Sequence, residues 1–326
     1  MNTKLVILIG LAVASCAEAA TFSEDFSADP GTHGWKIHGN TNLFGWDAAN
    51  QNLRVTWDSS QPNSYFYLLL GTILSRSDDF SLALDLQLED IAAGVNSNKP
   101  STFQLAFGFQ DFDAAVKPNF SRGSSFDSPN LVEFDFFPDS GFGPSLWPSI
   151  WSTNSSLNYN GSGDYTILDL PVGVVMRIMM NYCSGNQTLV TSVTTNGVSI
   201  GTIHDVPISP SFTDFRVGTF AIESYSDAGQ DPQYGGSLLA HGTVDNIVIQ
   251  TPPPPLRNIT AAFTNGASQI RFLSRTNWLY ILERTLDFQS WTPASASTGG
   301  NGATLILPDT NAPSAQAFYR VRAERP

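Results

Sequence analysis

The chain has 326 residues, a formal net charge of −13, only 14% charged residues and 12% aromatic ones. The acidic balance argues against nucleic acid and anionic membrane surfaces as partners and leaves neutral or weakly polar ligands, which aromatic rings suit. The only cysteines are Cys16 and Cys183, so a mature chain without Cys16 has no internal disulfide and rests on its apolar core.

Residues 1–19 read as an export signal, with Lys4 as the positive start, Leu5 to Val13 as the apolar run and Ala17-Glu18-Ala19 as the cleavage site. The run is too short to span a membrane. "VASC", ending at Cys16, is also similar to a lipobox, in which that cysteine would carry a lipid anchor. Export to the periplasm, cell surface or medium follows from the first reading. An outer-membrane lipoprotein follows from the second. No later stretch approaches the ~20 apolar residues of a transmembrane helix.

From residue 20 to 250 the pattern is strand-like. Phe80, Leu82, Leu84, Leu86 and Leu88 alternate with Ser81, Ala83, Asp85, Gln87 and Glu89. Phe103, Leu105, Phe107 and Phe109 alternate with Gln104, Ala106, Gly108 and Gln110. Val132, Phe134 and Phe136 alternate with Glu133 and Asp135, and Met176, Ile178 and Met180 with Arg177 and Asn181. Period two with one apolar face predicts half-buried strands, and clusters of Gly, Asn, Asp and Ser mark the turns. The chain is therefore expected to be all-β, a sandwich. "TPPPPL", residues 251–256, reads as a proline-rich linker to a small C-terminal β-module, residues 257–326, with apolar anchors Phe272, Trp278, Tyr280, Leu282, Trp291, Leu305, Leu307, Phe318 and Tyr319.

If the strands of residues 20–250 are neighbours in one sheet, Asp85, Gln87, Gln104, Glu133, Asp135 and Arg177 share a surface of amides and charges suited to sugar hydroxyls. Ala106 and Gly108 then leave room for a ligand. Trp147 and Trp151, in "GPSLWPSIW", supply rings to stack on sugar faces or instead cap the core. Trp35, Trp46 and Trp57 are expected in the core. Asp25, Asp245 and Asn246 offer a few oxygens for a structural Ca²⁺, fewer than the six to eight that ion takes. No other cofactor is indicated.

The opening "TFSEDFSADPGTHGW", the strand "DDFSLALDLQLEDI" and the closing "AHGTVDNIVIQ" resemble the concanavalin A-like lectin/glucanase superfamily, the laminin-G-type sandwich. That resemblance implies a jelly-roll sandwich that binds or cleaves carbohydrate on the concave face of a curved sheet. It also implies a catalytic motif, E-x-D-x-E or its bulged form, on one strand. Glu133 and Asp135 match the first two positions, but the third falls on Phe137 or Pro138. Asp139 lies six residues past Glu133, about 20 Å along an extended strand, whereas a retaining pair of carboxyls needs ~5–5.5 Å. Glu133, Asp135 and Asp139 are thus candidate catalytic residues with the acid/base missing from its family position. The tail, with "YILERTLDFQSW" and "FYRVR", resembles a small β-module at the C-termini of exported bacterial proteins. The expected function is glycan binding or adhesion outside the cell. The alternatives are a glycoside hydrolase or polysaccharide lyase using Glu133, and a structural cell-envelope protein.

Overall fold

The computed structural model describes residues 20–93, 105–117, 130–139, 143–151, 166–208, 214–224, 238–264, 267–313 and 317–326. The export signal with Cys16, and Gln104, lie outside the described residues. Among the described residues no helix is long and apolar enough to cross a membrane.

The alternation read from the sequence becomes two stacked antiparallel sheets. In the strand Phe80–Ala93, Leu82, Leu84, Leu86 and Leu88 are at most 1% exposed, while Asp85 and Gln87 between them are half-buried. Successive strand residues point to opposite faces, so one strand supplies both a core row and an outer row. Among the described residues, the first sheet runs Val198–Ser199, Thr188–Thr195, Val175–Cys183, Phe80–Ala93, Leu238–Thr251, Asn52–Asp58 and Phe44–Asp47. Ala20–Glu24 pairs with the end of Leu238–Thr251, from Ala20 opposite Thr251 to Glu24 opposite Ile247. First and last strands of the sandwich therefore lie side by side. The second sheet runs Thr166–Ile167, Ser145–Leu146, Leu131–Phe137, Leu105–Gln110, Val217–Ser224, Ser64–Leu74 and Lys36–His38, with Ser149–Trp151 also paired to Leu131–Phe137. This is the antiparallel sandwich that the resemblance implies.

Side chains from both sheets fill one core, including the Trp35–Phe66 stack at 4.6 Å and the Phe107–Phe134 stack at 4.7 Å between ring centroids. Each fully buried Leu or Phe contributes ~1.5–3 kcal/mol by leaving water, which lets the sandwich stand without disulfides. Trp35 and Trp57 belong to this core as expected. Trp46 does not: it is 38% exposed, and its indole N–H donates to the Phe26 carbonyl.

Past Thr251 the described residues form two smaller sheets. Leu256–Thr264, Ala267–Ser274 and Thr304–Asp309 make one, and Leu279–Thr285 with Phe318–Glu324 centres the other. Ile270, Phe272, Trp278, Tyr280, Leu282 and Leu307 are their shared core. The prolines between the two parts are built into the structure. Pro253 and Pro255 are buried, the Pro253 carbonyl accepts from Arg275 at 3.0 Å, and the Pro255 carbonyl accepts the Tyr280 hydroxyl at 2.7 Å.

A buried charge cluster pins the tail to the sandwich. Asp78, 5% exposed, accepts from Arg275 at 2.8 Å and pairs with Arg325. Both guanidinium groups lie against the Trp278 ring, 5.7 and 5.8 Å from its centroid, a cation–π arrangement. Burial pushes the Arg275 pKa down, opposed by the neighbouring Asp78 carboxylate.

Candidate functional site

The residues expected on one surface lie on two sheets. Asp85, Gln87 and Arg177 are on the first sheet and face away from the core, whereas Glu133 and Asp135 are on the second. The common face inferred from the sequence does not form. Period two states which residues share a side of their own strand, but it is silent on which sheet the strand joins.

On the first sheet the polar groups satisfy one another. Arg177 sits opposite Asp85 and pairs with it at 3.1 Å, and also donates to the Asn246 carbonyl at 2.8 Å. Asn246 donates its side-chain amide to Asp85 at 2.9 Å and to Asp245 at 3.2 Å. A register shift between Asp245 and Val248 sets this up, with Asn246 in the left-handed region at φ +48°, which Asn tolerates. Gln87 reaches the Gly173 carbonyl at 3.5 Å. Burial raises the Asp245 pKa, against the Asn246 N–H, and the Asp85 and Asp25 carboxylates push it the same way as burial. Asp25 goes the other way, held low by hydrogen bonds from Ser27. Among the described residues no three of His, Cys, Asp and Glu group as a metal site.

The second sheet carries the denser cluster on the face turned from the core. Three strands define it by register: Ala106 lies between Glu223 and Asp135, and Gly108 between Ala221 and Glu133. Ser149 lies on the far side of Glu133, and Tyr65 opposite Glu223. Glu133 and Glu223 are fully buried and Asp135 is 3% exposed. Three carboxyl groups thus gather around a central strand whose side chains on this face are small. Sequence reading missed Glu223. The signal was present in "TFAIES", where Phe220 and Ile222 alternate with Ala221 and Glu223, but nothing in the sequence paired that strand with Leu105–Gln110.

Gly108 has a purpose other than leaving space for a ligand. A Cβ there would stand 2.3 Å from the Val132 carbonyl oxygen, 2.7 Å from Glu133 Cα and 3.0 Å from Glu133 Cγ. Glu133 itself fills the room that glycine leaves. Gln110 continues the same face and is fully buried, with neither its amide oxygen nor its nitrogen hydrogen-bonded. Asp139 lies beyond the strand Leu131–Phe137 and is exposed, so it does not complete a one-strand catalytic motif.

The two tryptophans border this cluster. Trp151 is 5% exposed, and its indole N–H donates to Ser149 Oγ at 3.0 Å, while that hydroxyl donates to Asp135 Oδ2 at 2.8 Å. Trp151 therefore orients Asp135 through Ser149, and its buried ring is no free stacking platform. Trp147 is half-buried, against Phe137 and edge-on to Trp151 at 6.2 Å. At the opposite end the short helix Phe112–Ala115 packs on the sheet, with Phe112 stacked on Tyr67 at 4.1 Å and the Tyr65 hydroxyl donating to the Ala115 carbonyl. The described face is thus an acidic strip between two aromatic walls.

No family model matches the sequence, and no curated protein matches it. The fold is similar to solved structures. A seed lectin of Lotus tetragonolobus is 12% identical with a TM-score of 0.45, over 71% of this chain and 98% of that one. Lectin II of Ulex europaeus is 13% identical with a TM-score of 0.42, over 72% and 99%. An alginate lyase variant in complex with an alginate tetrasaccharide is 11% identical with a TM-score of 0.39, over 70% and 96%. At such identities and TM-scores none of these likenesses assigns a role to a residue of this chain.

Proposed function

We propose that the protein is an exported glycan-binding protein whose site is the core-distal face of the second sheet, at Glu133, Asp135, Glu223 and Gln110. The observation that carries the reading is Gln110. A buried primary amide with neither polar atom paired costs ~1–3 kcal/mol per unsatisfied group. That cost is relieved by a ligand presenting both donors and acceptors, as every sugar hydroxyl does. The neighbouring carboxylates are at most 3% exposed, so they accept from such hydroxyls only when this face opens to admit the ligand, and Trp147, half-buried at the border, offers part of a ring to a sugar face. Export rests on the residue pattern of positions 1–19.

The test is retention on polysaccharide affinity gels, comparing wild type with Gln110→Leu and Glu133→Gln. Gln110→Leu is expected to preserve or raise stability, because it removes an unsatisfied group, while weakening glycan retention at least several-fold. Unchanged retention in both variants would overturn the assignment.

One observation favours a second reading, cleavage of a polysaccharide. Glu223 and Asp135 are two strands apart across Ala106, so their Cα atoms stand about 10 Å apart at ~4.8 Å per strand. Carboxyls carried there fall in reach of the ~6.5–9.5 Å separation of an inverting pair. In this reading Glu223 is the acid, carried on another strand, that the one-strand motif lacks. Reducing-sugar release from a polysaccharide panel that is lost in both Glu223→Gln and Asp135→Asn would establish this reading. Binding without release in the wild type would exclude it.

A further inference from the structure

A cleft of about 620 Å³ opens between the sandwich and the C-terminal sheets. It is separate from the face that holds Glu133, and its size is within the ~300–1,000 Å³ of ligand pockets. One wall comes from the start of the strand Phe80–Ala93 and the end of the strand Val175–Cys183. The other comes from Arg257, Arg275, Asn277 and the turn before Trp278.

The charges of this cleft run against those of the chain. Among the described residues three arginines and two aspartates line it, in a protein of net charge −13. Two of the arginines are committed, since Arg275 and Arg325 share Asp78. Asp79 is committed as well, accepting from the Ser184 N–H at 2.7 Å and the Ser184 hydroxyl at 2.8 Å. Arg257 is different. Among the described residues it has no ion pair, and its Nε is buried without a hydrogen-bond partner. A guanidinium that lines a cleft without a carboxylate partner matches an oxyanion that accepts two parallel hydrogen bonds. The remaining polar lining is neutral: Ser81, Asn181, Gln250, Thr276 and Asn277 present hydroxyls and amides, the groups that pair with sugar hydroxyls.

We propose that this cleft binds an anionic saccharide, a uronate or a sulfated sugar, with Arg257 holding the acidic group and the surrounding amides and hydroxyls holding the ring. The docked tail is then half of a binding site, which gives a reason for Arg275 and Arg325 to fix it against the sandwich. The site is independent of the face proposed above and can exist without it.

The experiment is calorimetric titration of the full chain with three probes: an oligogalacturonate, a sulfated oligosaccharide of neutral sugars, and the unsulfated parent of the latter. Wild type is expected to bind at least one anionic probe, more weakly as salt rises. Arg257→Gln, which breaks no ion pair and should fold normally, is expected to lose that affinity about tenfold or more. Asn181→Trp, a bulky change at an exposed cleft position, should block the same binding without touching the anion anchor. The uronate and sulfate arms identify which acid is preferred. Failure of both anionic probes to bind, or wild-type affinity in folded Arg257→Gln, would overturn the proposal. Anion binding lost in Arg257→Gln and glycan retention lost in Glu133→Gln are separate readouts, so each site can fail alone.

Discussion

Asp78→Ala is expected to lower the free energy of unfolding by about 3–5 kcal/mol, the usual result of removing one partner from a buried ion pair. Asp78 is the single carboxylate between Arg275 and Arg325, and its removal leaves two guanidinium groups facing each other beside Trp278. Arg325 also donates to the Ile73 carbonyl and the Ser77 hydroxyl, so the loss spreads into the loop that feeds the strand Phe80–Ala93. Asp78 further accepts from the Ser75 N–H, which closes that loop. Urea denaturation of wild type and variant checks the expectation. The control is Glu324→Ala, which breaks an exposed pair with Arg322 and should cost only ~0–1 kcal/mol. A loss for Asp78→Ala no larger than that of the control would show that the cluster does not hold the two parts together. The same variant should also release the tail to limited proteolysis, because the prolines are buried against Arg275 and Tyr280.

Gly108→Ala is the second large effect, at about 1–3 kcal/mol of destabilisation, with loss of glycan retention. The added methyl would overlap the Val132 carbonyl and the Glu133 backbone, and neither is the end of a flexible side chain. Relief requires the strands Leu105–Gln110 and Leu131–Phe137 to part, and overpacking of this kind costs ~1–3 kcal/mol. The displacement moves Glu133 first, so retention on a polysaccharide gel should fall with stability. Gly45→Ala is the matched control. Nothing lies within 4 Å of a Cβ at Gly45, and that change should be neutral or slightly stabilising. Equal stability of Gly108→Ala and wild type would mean that the pair of strands can open there at no cost, and Glu133 would lose its reason for standing where it does.

The candidate site was legible only in fragments. Glu133 and Asp135 were recognisable because they interrupt an apolar alternation at a spacing that a known motif shares, and both do share the core-distal face of one strand. Asp85 and Arg177 were read as members of the same surface, and they are neighbours of each other, but on the opposite sheet. Glu223 went unseen because one acid in a short strand resembles any solvated position until its neighbours are known. The glycine in "AFGF" was read as space for a ligand, whereas the opposing Glu133 occupies that space.

The amino-acid sequence by itself determined the all-β class and the apolar face of each strand. These follow from a side-chain period of two and from where turn residues interrupt it. Tertiary structure alone decided which strands became neighbours, and therefore which acids met. Strand pairing is made by backbone N–H and C=O groups that nearly every residue carries alike, so two strands with the same pattern carry no mark of the sheet they will join.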